Sequence, residues 1–208
     1  MTPTLATACA ALPPEGANFP RGGPSGNFSP TLSFPPDLLL KAQGIRVAFF
    51  DVDGVLTDGG LYFSEDGETL KRFNTLDGHG LKLLQRAGIA PVVITGRDSA
   101  PLRLRLQTLG IEHAHFGVDD KRAVAGQMLA ELGLTWNQAA AIGDDWPDLA
   151  VMTHSRFACA PSNAHVEVKA RAHFITPSAG GAGAAREFCD LLLVASGQYA
   201  NLLAESAR

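Results

Sequence analysis

The stretch IRVAFFDVDGVLT, at residues 45–57, decides the fold of this 208-residue chain. Its first part, Ile45–Asp51, is a short and mostly apolar run, which is typical of a strand buried inside a parallel sheet. Polar residues begin where this run ends, so Asp51 and Asp53 emerge from a core rather than from a solvated loop. Gly54 then allows the backbone to turn sharply.

Downstream, short apolar runs alternate with amphipathic segments of helix length, which is the pattern of repeated βα units on a parallel sheet. The predicted strands are Ile45–Asp51, Pro91–Thr95, Ala114–Phe116, Ala139–Gly143, Arg156–Cys159 and Ala172–Ile175. The predicted helices are Gly80–Ala87, Pro101–Leu109, Lys121–Leu132 and Ala184–Ala195. The fold class is therefore α/β, with a Rossmann-like parallel sheet flanked by helices.

One segment interrupts the alternation. Leu61–Phe63 and Thr69–Asn74 are predicted strands joined by a turn that contains Gly67, so a small β-hairpin at residues 59–75 is inserted after the first strand. Only about 23 residues, Gly54–Leu76, separate the first strand from the next helix. These residues are too few to form a separate domain that could cover a ligand site at the end of the first strand.

The composition divides the chain into three parts. Eight of the thirteen prolines fall in residues 1–40, a density that disfavours helices and central strands. This part is expected to be a flexible arm, or in part an artefact of the gene start. Residues 41–198 form the single predicted domain, and residues 199–208 are expected to be a C-terminal tail.

Charge and cysteine usage exclude several classes of protein. The chain has 17 Lys+Arg and 21 Asp+Glu, a net charge of −4, without a basic run that could bind nucleic acid. Its sequence contains neither an apolar stretch of about 18 residues, as a membrane span requires, nor a signal peptide. Cys9, Cys159 and Cys189 lie far apart, which argues against a disulfide scaffold or zinc ribbon. We expect a soluble, cytoplasmic protein without a nucleic-acid or membrane partner.

Polar clusters follow the predicted strands, at the edge where open α/β sheets bind ligands. These clusters are Asp51-x-Asp53, Thr95-Gly96-Arg97, Lys121 and Asp144-Asp145. Neighbouring carboxylates repel one another unless a cation lies between them or one of them stays protonated. A hard divalent cation such as Mg²⁺ is the simplest way to offset the repulsion between three or more neighbouring carboxylates.

Two of the clusters contain groups that suit phosphoryl oxygens. Lys121 offers an ammonium, Thr95 a hydroxyl, and Gly96 a backbone N–H that a ligand can approach closely. Lys121 as a solvated lysine at a helix start and Thr95 as a helix N-cap are the simpler interpretations. Together the clusters predict phosphoryl transfer to a carboxylate, with a nucleophile, an acid/base, a metal site and phosphate-holding groups.

The motifs, in this order and spacing, resemble those of the haloacid dehalogenase superfamily of phosphatases. Within the superfamily, the chain resembles the family that hydrolyses 3-deoxy-D-manno-octulosonate 8-phosphate. Three further segments carry this likeness: DGVLTDG at residues 53–59, KRFNTLDGHG at 71–80 and GGAGAARE at 180–187. The resemblance covers about residues 45–198 and does not extend to the Pro/Gly-rich arm.

The resemblance implies a role for each motif residue. Asp51 would attack phosphorus to form an aspartyl phosphate, and Asp53 would protonate the leaving oxygen and later deprotonate water. Mg²⁺ would be held by the Asp51 carboxylate, the Asp53 carbonyl and Asp144. Asp145 and Asp148 would orient metal-bound water or the neighbouring ligands.

The implied substrate, a sugar acid phosphate, carries a carboxylate as well as a phosphate. Cations beyond Lys121 are therefore needed. Arg97 is the best placed, because its planar guanidinium can bind a carboxylate or phosphate with two hydrogen bonds. Lys71 and Arg186 are further candidates, and solvated surface charges are the alternative interpretation of both.

The resemblance also implies a homotetramer whose hairpins associate, so that neighbouring subunits close the site. Tyr62 and Phe63 on the hairpin fit this arrangement, although packing on their own domain would explain them equally well. The pathway implied is the synthesis of the sugar acid of bacterial outer-membrane lipopolysaccharide.

Three alternatives stay open. The substrate could be a related nine-carbon sugar acid phosphate. A phosphorelay receiver domain also combines acids, Thr and Lys on a parallel sheet, but the Asp51-x-Asp53 pair and the hairpin argue against it. Lastly, a catalytically silent binding module could retain the same residues.

Overall fold

The computed structural model describes residues 30–65 and 67–207 of the chain. Within them the strands are β1 (Val47–Phe50), β2 (Tyr62–Ser64), β3 (Gly67–Leu70), β4 (Ala90–Ile94), β5 (His113–His115), β6 (Ala139–Ile142), β7 (Phe157–Ala160) and β8 (Phe174–Ile175). The α-helices are α1 (Pro36–Ala42), α2 (Thr75–Arg86), α3 (Ala100–Leu109), α4 (Lys121–Glu131), α5 (Leu149–His154), α6 (Val166–Lys169), α7 (Ala184–Ala195) and α8 (Tyr199–Ser206).

Six strands form one parallel sheet in the order β5-β4-β1-β6-β7-β8. β1 lies in the middle, with Phe50 in register with Val93 of β4 and Ile142 of β6. The chain first extends the sheet on one side of β1 and then returns to the other side, so the strand order reverses there. Ligands of open α/β sheets bind at this reversal. The predicted α/β fold class is confirmed.

Both faces of β1 are buried. Successive side chains of a strand point to opposite faces, and here Ala48 and Phe50 pack into one core while Val47 and Phe49 pack into the other. The first core includes residues of α2, α3 and α7, and the second includes residues of α4, α5 and α6. Burying a phenylalanine contributes about 1.5–3 kcal/mol, so the strand that precedes the acidic motif is held firmly from both sides.

The predicted hairpin is present as the antiparallel pair β2-β3, separate from the main sheet. β2 has the predicted length but lies one residue later, β3 is shorter than the predicted strand Thr69–Asn74 and begins earlier, and the register shifts between Tyr62 and Phe63. The hairpin exposes several apolar side chains, namely Leu61, Tyr62, Phe63 and Leu70. Packing on their own domain therefore covers Tyr62 and Phe63 only in part, through contacts such as that of the Arg97 guanidinium, 5.8 Å from the centroid of the Phe63 ring.

Helix α2 begins at Thr75, five residues earlier than the sequence analysis predicts. Asn74 caps it by accepting a hydrogen bond from the Leu76 N–H at 2.8 Å. Glycines in the first turns lower the intrinsic helix propensity, but one of them allows close packing: a β-carbon on Gly80 would lie 3.1 Å from the Cys189 side chain on α7. Tertiary contact with α7 therefore outweighs the local preference.

Four helices lie where none was predicted, namely α1, α5, α6 and α8. α1 begins at Pro36, within the expected arm, because proline is tolerated in the first helical turn. Arg156 donates to the Lys41 carbonyl at 2.9 Å and so caps the other end of α1. α8 occupies most of the expected tail and packs on α7. Residues 1–29 of the predicted arm, with Cys9, lie outside the described residues.

Cys159 and Cys189 are buried free thiols. In the part of the chain that the structure describes, a helix of sufficient length and apolarity to cross a lipid bilayer is not found.

Candidate active site

Four sequence motifs meet at the carboxyl edge of the sheet. Asp51 directly follows β1, Thr95 follows β4, Asp144 follows β6 after one glycine, and Lys121 is the first residue of α4. Because all six strands run in parallel, their carboxyl ends lie along the same edge of the sheet.

Lys121 lies at the centre of this group. Its Nζ donates to Asp51 Oδ1 at 2.5 Å and to Asp148 Oδ1 at 2.7 Å, and all three residues are buried. Burial by itself lowers the pKa of Lys121, but the two carboxylates outweigh it and raise that pKa above its ordinary value. Lys121 is therefore a charged ammonium at neutral pH and not a solvated surface lysine.

Asp51, Asp144 and Asp148 each offer a carboxylate oxygen, and these oxygens lie within 4.8 Å of one another. Burial, followed by repulsion from Asp148, raises the pKa of Asp51 to about 8. Burial, followed by repulsion from Asp148 and Asp145, raises the pKa of Asp144 to about 7. One ammonium does not balance three ionised carboxylates, so the cluster either takes up protons, as the raised pKa values of Asp51 and Asp144 show, or binds a divalent cation that offsets the negative charge.

The donor set fits a hard cation such as Mg²⁺, because all three candidate ligands are carboxylate oxygens. Gly54 adopts a φ of 99°, and a β-carbon there would collide with the Asp144 carboxylate. The loop at residues 51–57, which follows β1, is called the acidic loop below. Because Gly54 has no side chain, the Asp144 carboxylate fits beside this loop.

Asp148 is more fully occupied by protein contacts than its neighbours. One oxygen accepts from Lys121, and the other accepts from the backbone N–H of Asp144 at 3.0 Å and of Asp145 at 3.3 Å. Asp145 is exposed and caps the 3₁₀ turn at residues 146–148. These contacts suit Asp148 for orienting Asp144 and Lys121.

Thr95 is buried and does not cap a helix. Its Oγ1 accepts from the backbone N–H of Arg97 at 3.2 Å, and helix α3 begins only after Ser99. The Thr95 backbone N–H donates to the backbone carbonyl of His115 at 3.0 Å, so Thr95 is held beside the end of β5. The hydroxyl proton of Thr95 can therefore be donated to a ligand oxygen at this edge.

The hairpin adds a second charged cluster beside Asp53. Lys71, whose side chain has no exposed surface, donates to Asp53 Oδ1 and lies 2.7 Å from Glu68 Oε1. Arg97 Nη2 donates to Glu68 Oε2 at 3.2 Å, and Arg97 Nε lies 3.7 Å from Asp53 Oδ2. Burial opposes ionisation of Glu68, but the hydrogen bonds from Lys71 and Arg97 lower its pKa overall.

Glu68 is a site residue that the sequence analysis missed. Glu68 precedes the strand predicted at Thr69–Asn74, whereas Lys71 lies within it, so a contact between them was not predicted. β3 ends at Leu70, and the chain leaves the strand before Lys71. The spacing Glu-x-x-Lys in GETLK is the one signal, and it becomes informative only when the end of the strand is known.

Arg186 lies elsewhere. Its Nε donates to Asp190 on the same helix at 2.8 Å, and its backbone N–H donates to Asp77 of α2 at 2.8 Å. The structure therefore places Arg186 at the packing of α7 against α2, whereas it brings Lys71 and Arg97 together beside Asp53.

The glycine-rich segment before α7 packs on the acidic loop of its own chain. The N–H of Gly181 donates to the Val55 carbonyl at 3.0 Å, and a β-carbon on Gly180 would collide with the Gly54 carbonyl. This segment therefore braces the turn that follows Asp53.

Comparisons with known proteins identify the family. A family model described as haloacid dehalogenase-like hydrolase matches residues 117–188. The 3-deoxy-D-manno-octulosonate 8-phosphate phosphatase KdsC of Escherichia coli (strain K12) is 40% identical over 162 residues, which are 78% of this chain and 86% of that protein. This chain belongs to the 3-deoxy-D-manno-octulosonate 8-phosphate phosphatase family of haloacid dehalogenase-like hydrolases.

Two solved members of this phosphatase family superpose closely on the chain. A probable YrbI family phosphatase from Pseudomonas syringae is 46% identical with a TM-score of 0.81, covering 84% of this chain and 99% of that one. The 3-deoxy-D-manno-octulosonate 8-phosphate phosphatase from Moraxella catarrhalis, solved with magnesium, phosphate and KDO, is 36% identical with a TM-score of 0.78, covering 81% and 97%. Membership of this phosphatase family makes a receiver domain the wrong alternative.

Proposed function

We propose that this protein is a Mg²⁺-dependent phosphomonoester hydrolase that cleaves 3-deoxy-D-manno-octulosonate 8-phosphate into 3-deoxy-D-manno-octulosonate (KDO) and phosphate. The observation that carries the proposal is the contact of Lys121 with both Asp51 and Asp148 at the carboxyl edge of the sheet. Relatives that are named for this reaction, or were solved with KDO, support the choice of substrate. The reaction would serve lipopolysaccharide synthesis in the cytoplasm.

The carboxylates of Asp51 and Asp144 and the carbonyl of Asp53 would hold the metal ion. Asp148 would hold Lys121 and Asp144 in position, since its oxygens accept hydrogen bonds from Lys121 and from the Asp144 backbone. When bound, Mg²⁺ supplies positive charge that neutralises the phosphoryl oxygens and the Asp51 carboxylate.

Asp51 would attack phosphorus, so that a bond forms between its carboxylate oxygen and phosphorus while the bond from phosphorus to the sugar oxygen breaks. Asp53 would give its proton to the leaving sugar oxygen. Asp53 would then take a proton from the water that attacks the aspartyl phosphate, which releases phosphate and restores Asp51. Lys121, Thr95 and the Gly96 N–H would hold the phosphoryl oxygens.

Lys71 and Arg97 would recognise the anionic sugar acid, because both lie beside Asp53, whose proton goes to the sugar oxygen. Arg186 is a weaker candidate than the sequence analysis held. Its ion pair with Asp190 supports a structural role between α2 and α7.

A homotetramer in which hairpins associate fits the exposed apolar residues of β2 and β3. Phe63 is 61% exposed and Leu70 is 55% exposed. Sedimentation velocity should show a tetramer for the full chain and smaller species for a Phe63→Asp/Leu70→Asp variant, because charges at an apolar interface oppose association.

Phosphate release from a panel of sugar phosphates, measured with Mg²⁺ and with EDTA, tests the function. The panel contains 3-deoxy-D-manno-octulosonate 8-phosphate, whose sugar acid has eight carbons, a nine-carbon sugar acid phosphate and neutral sugar phosphates. We expect Mg²⁺-dependent turnover with a strong preference for the eight-carbon acid. An Asp51→Asn variant should lose about a thousandfold or more in kcat while its circular dichroism stays unchanged.

The other outcomes are equally informative. A preference for the nine-carbon acid would correct the substrate and leave the chemistry standing. Turnover that survives Asp51→Asn would refute the aspartyl phosphate route. A folded parent protein without activity on the whole panel would point to a silent binding module.

A further inference from the structure

Glu68 is the member of the hairpin cluster that the proposed chemistry does not use. It is largely buried, with 8% of its side chain exposed, and its two oxygens face different cations: Oε1 lies 2.7 Å from Lys71 Nζ, and Oε2 lies 3.2 Å from Arg97 Nη2. A carboxylate of the chain itself thus bridges the two cations proposed to bind the carboxylate of the substrate.

Glu68 offsets part of the positive charge of this cluster without a ligand. Lys71 and Arg97 carry two positive charges, Glu68 carries one negative charge, and Asp53 adds a second negative charge when it does not hold the proton that it gives to the leaving oxygen. A further carboxylate that approached Lys71 and Arg97 would meet the negative charge of Glu68 at close range. An incoming sugar acid must therefore displace Glu68 or bind against its repulsion.

Glu68 lies on an element that is separate from the main sheet. The hairpin is a two-stranded sheet that is not hydrogen-bonded to the main sheet, and its outer side chains are exposed. A short two-stranded hairpin is marginally stable by itself, so the contacts of Glu68 with the cations contribute to holding it over the site.

We propose that Glu68 competes with the substrate's carboxylate for Lys71 and Arg97, and that it reclaims these cations when the carboxylate product leaves. This inference rests on the proposed function and deepens it. It predicts that Glu68 weakens the binding of the sugar acid and thereby relieves inhibition by the product.

Competitive inhibition tests the proposal, with p-nitrophenyl phosphate as a reporter substrate that has no carboxylate. The inhibitors are KDO and its methyl ester, which lacks the negative charge. In Glu68→Gln the inhibition constant for KDO should fall about three- to tenfold, the effect of removing one partly screened charge. The constant for the methyl ester should stay within twofold.

Glu65→Gln is the matched control, because Glu65 lies on the same hairpin and is exposed. It should leave both inhibition constants unchanged. A Glu68→Asp variant keeps the charge on a shorter side chain and should bind KDO less tightly than Glu68→Gln does. The rise in unfolding temperature on addition of KDO, measured for each variant, compares their affinities for KDO without any turnover. The same measurement shows that each variant is folded.

An unchanged or higher inhibition constant for KDO in folded Glu68→Gln would overturn the proposal, since Glu68 would then support binding rather than oppose it. An equal gain in affinity for the methyl ester would also overturn it, because the effect would not depend on the carboxylate. The proposed function fails separately, if the parent protein neither binds KDO nor cleaves its 8-phosphate.

Discussion

Lys121 is the residue on which the charge balance of the site depends. It is buried and lies within 2.7 Å of carboxylate oxygens on both Asp51 and Asp148. Burying a charge is costly unless an opposite charge accompanies it, so each of the three groups depends on the others.

We expect Lys121→Met to lower the free energy of unfolding of the metal-free protein at pH 8 by about 3–5 kcal/mol, because two buried carboxylates lose their cation. Urea denaturation measures this change. Adding Asp148→Asn to the same protein should restore part of the stability, since one of the two charges is then removed. A transition midpoint that does not move in the single variant would contradict this account.

Asp53 is expected to act on the leaving group, so its loss should depend on the substrate. In Asp53→Asn, kcat for a sugar phosphate should fall by about a hundred- to ten-thousandfold, the usual contribution of a general acid. The fall should be smaller for p-nitrophenyl phosphate, whose leaving group needs no proton. Steady-state kinetics on both substrates decide, and equal losses would indicate that Asp53 acts mainly through the metal ion or through Lys71.

At the scale of elements, helix α7 reaches the acidic loop through its first turn. Asp77 on α2 accepts a hydrogen bond from the Arg186 N–H at this turn, and Gly181 just before it donates to Val55 in the loop after Asp53. Burial raises the pKa of Asp77 despite the hydrogen bond from the Arg186 backbone. Two hydrogen bonds at the start of α7 thus join it to α2 and to the loop after Asp53.

Removing the Asp77 carboxylate should loosen this contact. Asp77→Ala is expected to lower the free energy of unfolding by about 1–2 kcal/mol, as for the loss of a helix cap, and to lower kcat because the loop that carries Asp53 is held less firmly. Asp190→Asn is the matched control, since Asp190 binds the Arg186 side chain rather than its backbone. Equal losses of kcat in the two variants would show that Asp77 has no particular connection to the loop.

At the scale of the whole molecule, the site is a local concentration of negative charge in a chain of net charge −4. The pKa values of Asp51, about 8, and Asp144, about 7, both exceed the ordinary aspartate value of 3.8. At these two residues the folded metal-free protein therefore holds more protons than the unfolded chain from about pH 4 to about pH 8. Stability due to these groups is present below that window and is lost as the pH rises through it.

We expect the unfolding temperature of the metal-free protein to fall between pH 6.5 and pH 8, and Mg²⁺ to raise it more at pH 8 than at pH 6.5, because the metal binds the ionised carboxylates. Differential scanning fluorimetry with EDTA and with Mg²⁺ measures both effects. Asp144→Asn should flatten the pH dependence. A Mg²⁺ effect of the same size at both pH values would count against metal binding by these residues.

The comparison between sequence and structure differs from element to element. α7, at Ala184–Ala195, coincides with its prediction, because its apolar periodicity is strong and its neighbours are glycines. α2 was predicted too short, because Gly78 and Gly80, which permit its packing on α3 and α7 respectively, also weaken the local helix signal. α1, α5, α6 and α8 were missed, since none is longer than eight residues and helices this short owe their stability to packing rather than to a local sequence signal.

The sequence alone determined the chemistry of the edge: which strands carry Asp51, Thr95 and Asp144, and that Lys121 begins a helix there. These features are local, because a strand and the residue that follows it are continuous in the chain. Tertiary structure alone decided that Glu68 joins Lys71 and Arg97, and that α7 packs on α2 with the Arg186 N–H bound to Asp77. The ion pair of Arg186 with Asp190 is, by contrast, a local contact between residues four apart on one helix. The direction of a long charged side chain depends on where the hairpin and α7 pack, and packing is a property of the whole fold.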